Sequence, residues 1–125
     1  MHWSEAKSTL LQNLIQVDRP GLVTDMDGTI SPIVPRPEDA QVTQRSRELL
    51  EALKAHMTVV AVVSGRSVAD LRARVGLDDL VYTGNHGMER WNQGEIQINP
   101  AALEFRPAIA RALNQLTPVL EKIPG

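Results

Sequence analysis

Asp25 and Asp27 stand two residues apart in Asp25-Met26-Asp27-Gly28-Thr29, directly after the apolar start of GLVTD. If extended geometry persists there, both carboxylates face one side. One ionised carboxylate could then attack an electrophile while its neighbour handles a proton. The pair also offers hard oxygen ligands of the kind Mg²⁺ takes, one or two carboxylates with water and substrate phosphate. Gly28 would let the chain turn tightly, and free N–H groups at that turn could hold phosphate oxygens. In isolation the same residues also read as a plain Asp-Gly turn. A calcium-binding EF-hand is excluded: counting from Asp25, the sixth position is Ile30 rather than Gly and the twelfth is Arg36 rather than Glu.

Two further polar clusters follow apolar runs. Ser64-Gly65-Arg66 comes after MTVVAVV and before a helical pattern. A hydroxyl beside helix N-terminal amides makes an oxyanion or phosphate cradle, or the serines simply cap the helix and Arg66 is solvated. Ser64 lacks the Gly-x-Ser-x-Gly setting of a hydrolase nucleophile. Asn85-His86-Gly87 offers an amide and an imidazole, or a tight turn. His2 and His56 have no partner at metal-ligand spacing, and Trp3 and Trp91 read as packing residues.

The elements that must position these clusters are legible from periodicity. Helical spacing covers Ser4–Gln16, capped by Ser4 and stopped by Asp18-Arg19-Pro20-Gly21. Gly21–Asp25 reads as a short buried strand, and the prolines of Ser31–Pro37 make an irregular extended stretch. Val42, Leu49, Leu50 and Leu53 mark a helix face capped by Thr43. Met57–Val63 is β-branched on both parities, as in a strand buried on both faces. Ser67 with Asp70 forms a capping-box pattern ahead of the stripe Val68, Leu71 and Val75, and Gly76 ends that helix. Leu80–Thr83 is a third strand. Glu89–Trp91 and Glu95–Ile98 read as a hairpin around Asn92-Gln93-Gly94. A final helical stretch opens at Asn99-Pro100, with Pro107 and Pro118 interrupting it.

Strands alternating with helices imply an α/β fold built on a parallel sheet with right-handed crossovers. In such sheets ligands bind beyond the carboxyl ends of the strands. All three clusters lie at those ends, so they converge on one rim.

Composition limits the alternatives. The 125 residues make one domain, or one domain and part of another. Thirteen basic and fifteen acidic side chains leave a net charge of −2, which gives no footprint for nucleic acid or an anionic membrane. The absence of cysteine excludes a disulfide scaffold, a thiolate metal site and a cysteine nucleophile. Val59–Val63 is far short of a membrane span. The N-terminal residues lack the pattern of a signal peptide, which leaves a cytoplasmic context as the default.

LVTDMDGTISPIVPRPEDA resembles motif I of the haloacid dehalogenase superfamily, and VVAVVSGRSVADL resembles its motif II. The Pro-Ile-Val segment, the Ser-Gly-Arg and YTGNHGMER together resemble the trehalose-6-phosphate phosphatases, over about Leu22 to Pro100. The resemblance implies a three-layer Rossmann-like core with only the start of an α/β cap, core over 1–105 and first cap helix over 106–125. It implies a Mg²⁺-dependent phosphatase acting on trehalose 6-phosphate through an aspartyl-phosphate. A sucrose-phosphate or mannosylglycerate-phosphate enzyme, and a non-catalytic regulatory domain, are the alternatives.

Carried over by residue, Asp25 matches the nucleophile and Asp27 the general acid and base. The Asp25 carboxylate and the Asp27 carbonyl match Mg²⁺ ligands, and Ser64 matches the phosphate-binding hydroxyl. Met26, Gly28, Thr29, Gly65, Arg66, Asn85 and His86 complete the expected phosphate and substrate rim. Nothing matches the motif III lysine or the motif IV acidic pair: Asp78-Asp79 precedes a strand, and Lys122 is the sole lysine after Lys54. The expected partners are a small sugar phosphate, with a trehalose-phosphate synthase or a carboxy-terminal half as protein partners. This chain by itself is expected to be inactive.

Overall fold

The computed structural model describes residues 12–13 and 16–123. The helix expected over Ser4–Gln16 lies almost wholly outside them. The described chain begins with β1 (Gly21–Asp25) and a short 3-10 turn at Pro37–Asp39. Next come α1 (Gln44–Lys54), β2 (Val59–Val63), α2 (Val68–Val75) and β3 (Val81–Gly84). A second 3-10 turn (Asn85–Gly87), the hairpin β4 (Glu89–Asn92) and β5 (Glu95–Ile98), and α3 (Pro100–Leu120) complete it.

One five-stranded sheet runs in the order β1-β2-β3-β4-β5. β1, β2 and β3 are parallel, with Asp25 opposite Val63 and Val63 opposite Thr83. The three polar clusters therefore leave the sheet side by side. The hairpin adds two antiparallel strands, so the sheet is mixed. Its turn is the two residues Gln93 and Gly94, both at positive φ, the conformation whose twist matches paired strands.

Local signals act as read. Thr43 accepts the Ser46 N–H at 3.0 Å to cap α1. Ser67 accepts the Asp70 N–H to cap α2, and Gly76 closes that helix at φ 70. Arg47 donates to the carbonyls of Val75 and Arg74, satisfying the end of α2 from α1. The last helix differs from expectation, because α3 runs unbroken through Pro107 and Pro118. Proline removes one helical hydrogen bond at each site, and on a helix with no buried residue water can take the released carbonyl.

Val60, Val62 and Tyr82 join Leu50, Val68, Leu71 and Val75 in the core, with Leu22 and Trp91 packed against it. Alternation along the strands then turns Val23 and Val59 to the opposite face. There Val23 is 65% exposed, so β1 is not the buried strand its composition suggests. Sequential strands laid down in one direction with right-handed crossovers place both connecting helices on the same side. No described helix is long and apolar enough to cross a membrane.

Candidate active site

The rim is assembled by close approach of backbone at two glycines. Gly84 ends β3 with ordinary extended dihedrals. A Cβ there would lie 2.5 Å from the Val68 nitrogen and 2.6 Å from the Arg66 carbonyl oxygen. Only glycine lets β3 meet the loop after β2, and the Asn85 N–H then donates to the Arg66 carbonyl at 2.7 Å. A Cβ on Gly65 would meet the His86 ring at 2.8 Å, so the imidazole lies directly over that loop. Asn85 and His86 reach their positions through left-handed backbone, φ 48 and φ 55.

Two clefts of about 400 Å³ each share Ser64, Gly65 and His86. One is completed by Asp25, Val63, Thr83 and Gly87. The other is completed by Asp27, Arg66 and the apolar Ile33, Val34 and Pro37. A larger cavity, about 990 Å³, lies elsewhere, between Lys54, Thr58, Arg72, Asp78 and Trp91, and none of the expected site residues lines it.

Ser64 is buried. Its Oγ accepts the Arg66 N–H at 3.2 Å, which leaves the hydroxyl proton free to donate. The Asp25 carboxylate is exposed at the end of β1. Asp27 is held by Arg66 in a two-pronged pair, Nε to Oδ2 and Nη2 to Oδ1, both 2.9 Å. That guanidinium hydrogen bond holds the Asp27 carboxyl below its usual range, against the smaller upward push of partial burial. Arg66 is itself raised, chiefly by Asp27.

The structure places the other expected residues differently. Met26 is fully buried, and its carbonyl accepts the N–H groups of Thr29, Ile30 and Ser31. The Gly28 N–H donates to Ser31, so the free N–H groups expected at Gly28 and Thr29 are consumed by the turn. Met26, Gly28 and Thr29 therefore shape the turn that presents Asp27. The expected amide cradle at α2 is also partly filled. Glu89 accepts the Val68 N–H at 3.0 Å and the Asn85 side-chain amide at 2.7 Å. Asn85 is thus directed to Glu89 and lines neither cleft. Glu89 carried no chemical signal in the sequence beyond lying in the family-like segment. Arg66 faces a carboxylate and is not solvated.

Among the described residues no group of three or more His, Cys, Asp or Glu side chains is placed to hold a metal. The share this chain could supply to Mg²⁺ is the Asp25 carboxylate and the Asp27 carbonyl, which accepts no backbone hydrogen bond from a described residue in the turn. That two-oxygen donor set fits a cation that keeps waters and substrate phosphate in its shell.

Comparisons with known proteins identify the family and the fold. Residues 23–125 match the trehalose-phosphatase family model. The trehalose-phosphate phosphatase of Mycobacterium ulcerans is 39% identical over 112 residues, 89% of this chain and 28% of that protein. Trehalose-phosphate phosphatase B of Arabidopsis thaliana is 33% identical over 110 residues, 81% of this chain and 29% of that protein. The solved C-terminal domain of the C. albicans trehalose-6-phosphate phosphatase shares the fold, with TM-score 0.71, 24% identity, and coverage of 95% of this chain and 42% of that one. The chain thus spans under a third of these two curated relatives.

Proposed function

The chain belongs to the trehalose-phosphatase family, and from that premise we propose that it carries the phosphate-accepting part of a Mg²⁺-dependent trehalose-6-phosphate phosphatase. The observation that carries this reading is the placement of Asp25, Asp27 and Ser64 around two adjoining clefts at the ends of parallel strands.

In the first step an Asp25 oxygen bonds to phosphorus as the bond from phosphorus to the sugar oxygen breaks. Asp27 gives that oxygen its proton, and the Ser64 hydroxyl donates to a phosphate oxygen. In the second step Asp27 takes a proton from water, which attacks the phosphorus and restores the Asp25 carboxylate with release of phosphate. Asp27 ionised against Arg66 is the base form needed for this second step. The first step requires it protonated and turned towards the leaving oxygen. Mg²⁺, when bound at the Asp25 carboxylate and the Asp27 carbonyl, would offset the repulsion between anionic nucleophile and anionic phosphate.

Among the described residues neither cleft is lined by a lysine or by an acidic group besides Asp25 and Asp27, which supports the reading that the chain by itself is inactive. The test is Mg²⁺-dependent phosphate release from trehalose 6-phosphate by the intact protein. Asp25→Asn should abolish it, and retained turnover in that variant would exclude Asp25 as the nucleophile. Turnover by this chain alone at the usual enzymatic rate, about 1–10³ s⁻¹, would refute the need for further groups.

A further inference from the structure

Arg66 is one rung of a longer charged ladder. Besides Asp27, its Nη1 donates to Asp70 Oδ2 at 3.0 Å and its Nη2 to the Pro37 carbonyl at 2.8 Å. Arg74 donates through Nε to both Asp70 oxygens at 2.9 Å. Its Nη1 reaches the carbonyls of Glu38 at 3.0 Å and Ala40 at 2.6 Å. Asp70 and Arg74 are four apart on one face of α2, and Arg66 reaches Asp70 from the loop that precedes the helix. Both arginines are largely covered, with side-chain exposures of 14% and 18%. Asp70 and Arg74 line neither cleft, yet every charge between them and Asp27 is paired.

We propose that Asp70 and Arg74 are positioning residues that act through Arg66 to hold the Asp27 carboxylate in place for the second, hydrolytic step, while fastening the proline-rich segment over it. The guanidinium is planar with donors in a fixed fork. Asp70 holds Nη1, Pro37 shares Nη2, and what remains is the edge formed by Nε and Nη2, which grips both Asp27 oxygens. With Asp70 removed, Arg66 keeps that edge but loses the contact that fixes its plane. The catalytic consequence rests on reading Asp27 as the base of the second step. The positional relay itself does not.

The direct test is the Nε–H resonance of Arg66 in ¹⁵N spectra of the 125-residue chain, since that proton points at Asp27 and not at Asp70. Asp70→Asn should speed its exchange with water about fivefold, the upper end of what one partly exposed ion pair contributes. Arg74→Gln should speed exchange of the Ala40 amide, whose segment it releases, and disturb Arg66 less. If Asp70→Asn folds poorly, Arg74→Gln alone decides: an Arg66 Nε–H exchange rate unchanged in that variant overturns the relay, and an unchanged Ala40 amide overturns the fastening of the segment. An Arg66 Nε–H unaffected by Asp70→Asn overturns it equally.

In the intact protein, Asp70→Asn should lower kcat about fivefold for trehalose 6-phosphate while kcat/KM stays unchanged, because kcat/KM reports the first step alone. A fall in kcat/KM of the same size would mean general damage and overturn the proposed role. Absence of turnover in the wild-type intact protein would instead defeat the proposed function, with the resonance test still deciding the relay.

Discussion

Gly84→Ala separates two ways in which a glycine can be required. Gly84 has φ −116 and ψ 174, a conformation any residue adopts, so the substitution strains no dihedral. Its cost is contact alone: the new Cβ would sit 2.5, 2.6 and 2.9 Å from Val68 N, Arg66 O and Ser67 C. All three are backbone atoms, and none can move by a rotamer change. Overpacking of this kind costs about 2 kcal/mol. Forcing the strands apart also weakens the hydrogen bond from Asn85 to Arg66, worth about 1 kcal/mol. With an unfolding entropy of about 2.1 cal/mol/K per residue, a loss of about 3 kcal/mol lowers Tm by about 11 °C for 125 residues. Gly87 is the reverse case, at φ +91 with nothing within 4 Å of a built Cβ. Gly87→Ala should cost only the left-handed backbone term, about 1 kcal/mol or about 4 °C. Thermal unfolding of both variants, followed by far-UV circular dichroism and by tryptophan fluorescence, gives the comparison. A Gly84→Ala chain no less stable than Gly87→Ala would refute the claim that backbone contact at the end of β3 holds the rim together.

Other expectations follow from the same geometry. Asp70 is held below its usual carboxyl range mainly by Arg74 and then Arg66, against desolvation. A lowered folded pKa stabilises above the unfolded value, 3.8 for this group, and the gain is lost as pH falls through the folded value. Urea midpoints should therefore drop from pH 5 towards pH 3, and Asp70→Asn should flatten that drop; equal slopes would contradict it. Asp27→Asn should slow hydrolysis of a sugar phosphate more than of an activated aryl phosphate, because only the sugar oxygen needs the proton. Equal losses would remove Asp27 as the acid. Arg72 lies 3.4 Å over the Trp91 ring, so Arg72→Ala should cost about 0.5–1 kcal/mol and shift Trp91 emission. An unchanged spectrum would place the ring elsewhere in solution.

The strand ends were legible because each is a polar break after an apolar run, and the parallel register puts such breaks at one level. Thr43, Ser67 and Gly76 were legible because caps act within a few residues. What stayed hidden depends on partners far along the chain. Arg66 meets Asp27 across 39 residues, Arg74 meets Ala40 across 34, and Glu89 meets Val68 across 21. Asp70 was visible only as half of a capping box, whereas its carboxylate serves two arginines. The exposure of Val23 was hidden for a related reason: GLVTD states that the strand is apolar, not which neighbour covers it.

The chain's surface bears on what holds the rim together. Two faces of the described chain are left open: the sheet face bearing Val23 and Val59, and α3, with Phe105, Ile109, Leu113 and Leu116 all exposed. Neither surface supplies the hydrogen bonds that hold Asp27 and Ser64. The turn after Asp25 closes on its own hydrogen bonds, Ser64 is fixed by Thr83 and Arg66, and Asp27 by Arg66, which Asp70 holds from α2. These contacts all lie within residues 21–89, whereas Asp25, two residues after Val23 in β1, shares the exposed face of the sheet. Covering the exposed faces should therefore raise stability far more than it rearranges the contacts among Asp27, Ser64 and Arg66.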